Sequence, residues 1–167
     1  MIGGVHHTGI STPDIARSIA FYRDLMGFEL CYEMSLDQAT DQVDAMLEMK
    51  GVTAKMAMMK TGSSYIELLQ FDTPAGNPPR PGWTLADHGI NHICLMVDDV
   101  DAEYARLSAA GMQFHAPPVH NTGRPTVACY GRDPDGNRIE LIQVTDTSVP
   151  FHYANHRIER LKELAAR

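Results

Sequence analysis

The chain of 167 residues repeats itself, and an internal repeat fixes an architecture before any single element is assigned. The segment from His7, HTGISTPDIARSIAFYRDLMGFEL, aligns with the segment from His92, HICLMVDDVDAEYARLSAAGMQF. Asp14 then falls on Asp99, Ile15 on Val100 and, with one residue deleted, Gly27 on Gly111. Further on, IELLQ at residues 66–70 matches IELIQ at residues 139–143. The sequence reads as two copies of one supersecondary unit.

Each copy opens with a short β-prone run, Val5 to Ser11 and Asn91 to Val97, followed by an amphipathic helix. In the first helix Thr12 is the expected cap and Pro13 the first helical residue; Ile15, Ile19, Tyr22 and Leu25 or Met26 form the apolar stripe, and Gly27 ends it. In the second, Asp98 or Asp99 caps, Val100, Tyr104 and Leu107 repeat the stripe, and Gly111 terminates it. Three further strands follow in each copy: Glu29 to Met34, Val52 to Met59 and Ser64 to Phe71, then Gln113 to His115, Thr126 to Tyr130 and Arg138 to Val144. The expected organisation is a βαβββ module over residues 1–72, a linker over 73–89, a second module over 90–146 and a tail over 147–167. Four prolines and three glycines in DTPAGNPPRPGWTLADHG bar a helix or central strand from the linker. In the tail, Asn155 caps a helix with Ile158, Leu161 and Leu164 on one side.

Composition narrows the function. Apolar residues at 44% and charged residues at 21% describe an ordinary globular chain. A net charge of −7 without a basic stripe argues against nucleic acid, which is held by clustered Lys and Arg. No apolar run approaches the roughly 18 residues that span a bilayer, and MIGGVHH carries no signal-peptide pattern, so no membrane partner and a cytoplasmic location are expected. Cys31, Cys94 and Cys129 form no CxxC, which suggests neither a disulfide framework nor a thiolate zinc site. GxSxG, Walker and dinucleotide motifs are missing as well.

The chemical signal comes from laying the repeat over the ionisable residues. His7 and His92 occupy the same place in the first strand of each copy, and Glu67 and Glu140 the same place in the last. Singly, each His reads as an ordinary core or surface histidine, and each Glu as a strand residue facing away from its apolar neighbours. Together they favour a common metal shell, because a carboxylate within Ile-Glu-Leu is costly to bury unless paired or coordinating, and here the pattern occurs twice. Two imidazoles and two carboxylates suit one divalent ion, Ni, Co, Mn, Fe, Mg or Zn, and leave two octahedral positions for a substrate with neighbouring oxygens. Alternation sends His6 to the opposite face from His7, as a structural or supporting group. His152 and His156 lack a third ligand.

With these residues in place, the chain resembles the vicinal oxygen chelate superfamily of glyoxalases, bleomycin resistance proteins and dioxygenases. The resemblance covers nearly all of residues 4–145 and rests on HHTGI, FYRDLMGFEL, YIELLQ, INHICLMVDDV and RDPDGNRIELIQ. It implies an α+β fold in which two βαβββ modules form an incomplete mixed β-barrel with flanking helices, to which the tail adds a C-terminal helix. It implies His7, Glu67, His92 and Glu140 as metal ligands, the four-ligand set of glyoxalase I and methylmalonyl-CoA epimerase. The ligands come from one chain or from two chains of a homodimer, since the superfamily uses both arrangements.

The resemblance further implies an isomerase or lyase acting on a small-molecule substrate through proton abstraction and a metal-stabilised enediolate, with Glu140 rather than Glu67 as the base. Positions where bacterial glyoxalase I holds glutathione read Ser11 and Phe71. The strand VTAKMAMM lacks the second acid of the epimerases; its pocket-facing residues by alternation are Ala54, Met56 and Met58, and Met56 and Met58 are taken as substrate-binding. Tyr130 stands where extradiol dioxygenases place a substrate-binding Tyr, which makes it a candidate acid or donor and makes ring cleavage the alternative reaction. A second alternative is ligand sequestration of the bleomycin resistance type.

Overall fold

A computed structural model describes residues 4–62, 64–78, 80–120, 123–150 and 152. They group into two compact units, Gly4–Trp83 with Pro134–Gly136, and Thr84–Asp133 with the residues from Asn137 onward. The first contains β1 (His7–Ser11), α1 (Ile15–Ala20), β2 (Glu29–Leu36), α2 (Asp41–Met46), β3 (Thr53–Thr61) and β4 (Ser64–Thr73). The second contains β5 (Ile93–Met96), α3 (Val100–Ala109), β6 (Gln113–Phe114), β7 (Thr126–Arg132) and β8 (Arg138–Val144). Each unit has one mixed four-stranded sheet, ordered β1-β4-β3-β2 and β5-β8-β7-β6. The first strand pairs parallel with the last in both sheets, and the other neighbours run antiparallel. No described helix is long and apolar enough to cross a membrane.

The repeat governs the helix starts. Asp14 and Asp99, aligned in the sequence, are the observed N-caps, their side chains accepting from Arg17 N and Ala102 N. This corrects the expectation for Thr12 and Pro13. Thr12 is buried and otherwise engaged: its N–H donates to Leu69 O at 2.9 Å and its hydroxyl lies 2.8 Å from Ser18 Oγ. The helix therefore starts after Asp14. Both helices end at glycines with positive φ, Gly27 at 77° and Gly111 at 94°, a conformation side chains with a Cβ resist. Beyond Ala20, α1 widens into a π-wound turn over Phe21–Leu25, and α2 joins the expected elements of the first unit. The predicted C-terminal helix, with Asn155, Ile158, Leu161 and Leu164, lies outside the described residues.

α1 packs on β3 and β4, and α3 on β7 and β8. Buried Ala57, Met59, Ile66 and Leu68 in one unit and Cys129, Ile139 and Leu141 in the other form the layers beneath them. Helix and sheet are also tied by a polar bond in each unit. Gln70 Oε1 accepts the Ile15 N–H at 2.9 Å, and Gln143 Oε1 accepts the Val100 N–H at 3.2 Å. These glutamines end the repeated IELLQ and IELIQ segments. Each meets one of the N–H donors that a helix start leaves without an intrahelical partner.

Gln70→Leu and Gln143→Leu are each expected to lower stability by about 1 kcal/mol. The check is a fall in the urea midpoint with an unchanged m value; wild-type midpoints would show that these bonds do not stabilise the helices.

Candidate metal centre

In β4 and β8 alternation divides the side chains between two faces. Ile66, Leu68, Ile139 and Leu141 take the helix side, so Glu67 and Glu140 take the other. In the first unit β1 and β4 run parallel with Gly9 opposite Glu67, so His7, two residues earlier, shares that face. His7 Nε2 lies 3.5 Å from Glu67 Oε2. The second unit reproduces the pair, with His92 Nε2 3.1 Å from Glu140 Oε2. The two carboxylates keep only 17% and 15% of their side-chain surface exposed, so each is partly desolvated beside a histidine ring.

These separations fit adjacent ligands of one ion. Donors held about 2.1 Å from a metal stand about 3.0 Å apart at right angles and about 3.4 Å apart in a tetrahedron. Each unit thus supplies one imidazole and one carboxylate at ligand spacing. Among the described residues no group of three or more His, Cys, Asp or Glu stands together that could hold a metal ion.

The surroundings of the two pairs differ. Facing Glu67 across β3 and β4 is Met58, with Met56 opposite Leu69 and Ala54 opposite Phe71. Facing Glu140 across β7 and β8 is Tyr130, and Cys94 lies opposite Glu140 on β5. Burial and then the hydrogen bond to the Glu140 carboxylate push the Tyr130 phenol up to about 12, which keeps its proton in place at neutral pH. Cys94 retains exposed surface, yet the protein packed around it and then Glu140 push its thiol up to about 12. Tyr130 meets the His92 ring edge-on at a centroid distance of 5.4 Å and is stacked by His115 at 6.4 Å. Burial, followed by the charges of Arg132 and Arg138, holds His115 below its ordinary range.

Gly131 allows that stack. A Cβ there would meet Met112 Cε at 2.7 Å and Gln113 O at 3.0 Å, so glycine lets β6 lie close against β7. His115, just past β6, donates its backbone N–H to Tyr130 O at 2.8 Å. Sequence reasoning did not single out His115 or assign Cys94 to this face. Cys94, two residues beyond His92, shares its face by alternation, which was the available signal; His115 depends on the long-range register of β6 against β7, for which the local sequence gave none.

His6 departs from its expected place. Its ring stacks on Tyr65 at 5.1 Å and 14°, and its Nδ1 lies 2.8 Å from His7 Nδ1. β1 begins only at His7, so strand alternation does not extend to His6. His156 lies outside the described residues.

Comparison with known proteins agrees with the fold. The model of the Glyoxalase/Bleomycin resistance protein/Dioxygenase superfamily matches residues 4–141. The chain is 30% identical over 154 residues to a 2-epi-5-epi-valiolone epimerase of Actinomyces sp, covering 88% of this chain and 82% of that one. It is 31% identical over 150 residues to an ethylmalonyl-CoA/methylmalonyl-CoA epimerase of Cereibacter sphaeroides, covering 86% of this chain and all, 100%, of the relative. Among solved structures, a glyoxalase family protein from Bacillus cereus superposes with a TM-score of 0.75 at 21% identity, covering 86% of this chain and 95% of that one.

The raised thiols of Cys94 and of Cys129, the latter pushed up to about 11 chiefly by burial, leave little thiolate at neutral pH. Iodoacetamide at neutral pH is therefore expected to label exposed Cys31 first, with Cys94 and Cys129 reacting appreciably only on raising the pH. Peptide mass spectrometry reads the order, and prompt labelling of Cys94 at neutral pH would contradict the packing around Glu140.

Proposed function

The chain belongs to the Glyoxalase/Bleomycin resistance protein/Dioxygenase superfamily, and from that premise we propose that it is a metal-dependent isomerase or lyase. Its substrate is a small molecule carrying two adjacent oxygens and a carbon-bound proton beside a carbonyl. The observation that carries this reading is the His–Glu pair repeated at equivalent positions, at 3.5 Å and 3.1 Å. The curated relatives described above are epimerases, which supports proton transfer at carbon over sequestration of a ligand.

His7, Glu67, His92 and Glu140 are the proposed ligands, supplied by one chain or by two chains of a homodimer. A bound divalent ion of the Ni, Co, Mn, Fe, Mg or Zn class supplies Lewis acidity for charge developing on the substrate oxygens. Glu140 takes the carbon-bound proton on a carboxylate oxygen. Tyr130, protonated through the neutral range and opposite Glu140 across β7 and β8, would hold that carboxylate or donate to the substrate. Met56 and Met58, on the Glu67 face of β3, supply an apolar, adaptable surface for the body of the substrate. The same Tyr130 beside Glu140 favours ring-cleaving dioxygenation as the second reading, with the phenol on the substrate oxygen.

Protein purified without chelator or affinity metal is expected to carry a divalent ion in stoichiometric amount. With 2-epi-5-epi-valiolone or methylmalonyl-CoA as first probes, substrate C–H should exchange with solvent deuterium without oxygen uptake. Glu140→Gln should reduce that exchange by about 10²-fold or more. Full exchange in the variant would remove Glu140 from the reaction, and oxygen uptake with catechols under Fe(II) would replace the isomerase reading by the dioxygenase one.

A further inference from the structure

The residue immediately before each ligand histidine bonds that histidine's other ring nitrogen. Asn91 Oδ1 lies 2.5 Å from His92 Nδ1, and His6 Nδ1 lies 2.8 Å from His7 Nδ1. Asn91 cannot turn its amide around without loss, because its Nδ2 donates to the Leu85 carbonyl at 3.0 Å. An amide oxygen only accepts, so His92 Nδ1 must be the donor. A neutral imidazole carries one proton, and with it on Nδ1 the Nε2 lone pair faces the Glu140 carboxylate 3.1 Å away. Two acceptors at that distance repel unless a cation lies between them.

The repeat extends this to the other unit, where His6 holds the place of Asn91. Of two Nδ1 atoms at 2.8 Å one must donate, and equivalence with His92 assigns the proton to His7. His6 then accepts on Nδ1 with its ring held flat against Tyr65. His7 Nε2 is left facing Glu67 at 3.5 Å. We propose that Asn91 and His6 are positioning residues that lock His92 and His7 in the Nδ1–H tautomer, so that each His–Glu pair presents two bare acceptors to a cation. Outer partners of this kind fix ring orientation and raise ligand affinity. The consequence for metal affinity rests on the ligand assignment above, whereas the tautomer assignment stands without it.

Long-range 1H–15N spectra of the metal-free protein, at alkaline pH where imidazole is neutral, read the tautomers directly. His7 and His92 are expected as Nδ1–H; an Nε2–H tautomer, or a ring still doubly protonated, overturns the proposal. Asn91→Leu should move His92 to Nε2–H and weaken Zn2+ binding, measured by calorimetry, about 10- to 100-fold, while Asn91→Asp, which keeps an acceptor, preserves both. His6→Phe keeps a ring against Tyr65 but removes the acceptor, and should shift His7 in the same way. Unchanged tautomers in Asn91→Leu and His6→Phe would likewise overturn the assignment. Intact Nδ1–H tautomers in a protein that binds no Zn2+ would uphold the positioning role and reject the ligand reading. The wild-type spectra decide the matter even where a variant fails to fold.

Discussion

Everything at the site depends on how a strand distributes its side chains when a helix covers one face. In Ile-Glu-Leu the two aliphatic residues are driven under the helix by the hydrophobic effect, each worth roughly 1.5–3 kcal/mol when fully buried. Ile66, Leu68, Ile139 and Leu141 are all at or near full burial. The intervening glutamate then has no choice of face. A register slip of one residue would send the carboxylate beneath α1 or α3 and expose the aliphatic pair, so the burial that stabilises each sheet also fixes the direction of its acid. The parallel first strand brings a histidine to that same face by an equally local rule.

A second constraint ties helix to strand. Gln70 and Gln143 each accept the first N–H after the helix cap, and each lies three residues beyond the glutamate of its strand. The helix start and the carboxylate are therefore referenced to one short stretch of β4 or β8. The same five-residue segment faces its helix, orients its acid and closes the helix N-terminus, which accounts physically for its recurrence as IELLQ and IELIQ.

Most of this architecture was legible in the sequence because it is written in short-range signals: helical spacing before a glycine, alternation around a glutamate, and the repeat. The repeat held more than its elements showed separately. It aligned Asp14 with Asp99, and that alignment identifies the cap of α1, where local preference points to Thr12. What stayed hidden depends on long-range register. His115 reaches Tyr130 only because Gly131 admits β6 against β7. His6 was misplaced for a local reason, since strand alternation was extended one residue past the start of β1.

Equivalence of the two His–Glu pairs does not make the two halves equivalent in their surroundings. The residue opposite Glu67 is Met58, and the residue at the matching place opposite Glu140 is Tyr130. A carboxylate that is to act as a base would need a hydrogen-bond donor beside it, because an unpaired anion in a partly dry setting is expensive. Tyr130 offers that donor, with a phenol that keeps its proton at neutral pH, whereas the thioether of Met58 has no proton to give. Under the proposed function this asymmetry would favour Glu140 over Glu67 as the base. The apolar face continues outward from Met58 and Met56 to Tyr32 and Met34, which pair with them across β2 and β3 and remain 48% and 45% exposed. Duplication supplied two identical pairs of donors, and divergence of the facing strand gave one half a proton donor and the other an oily wall.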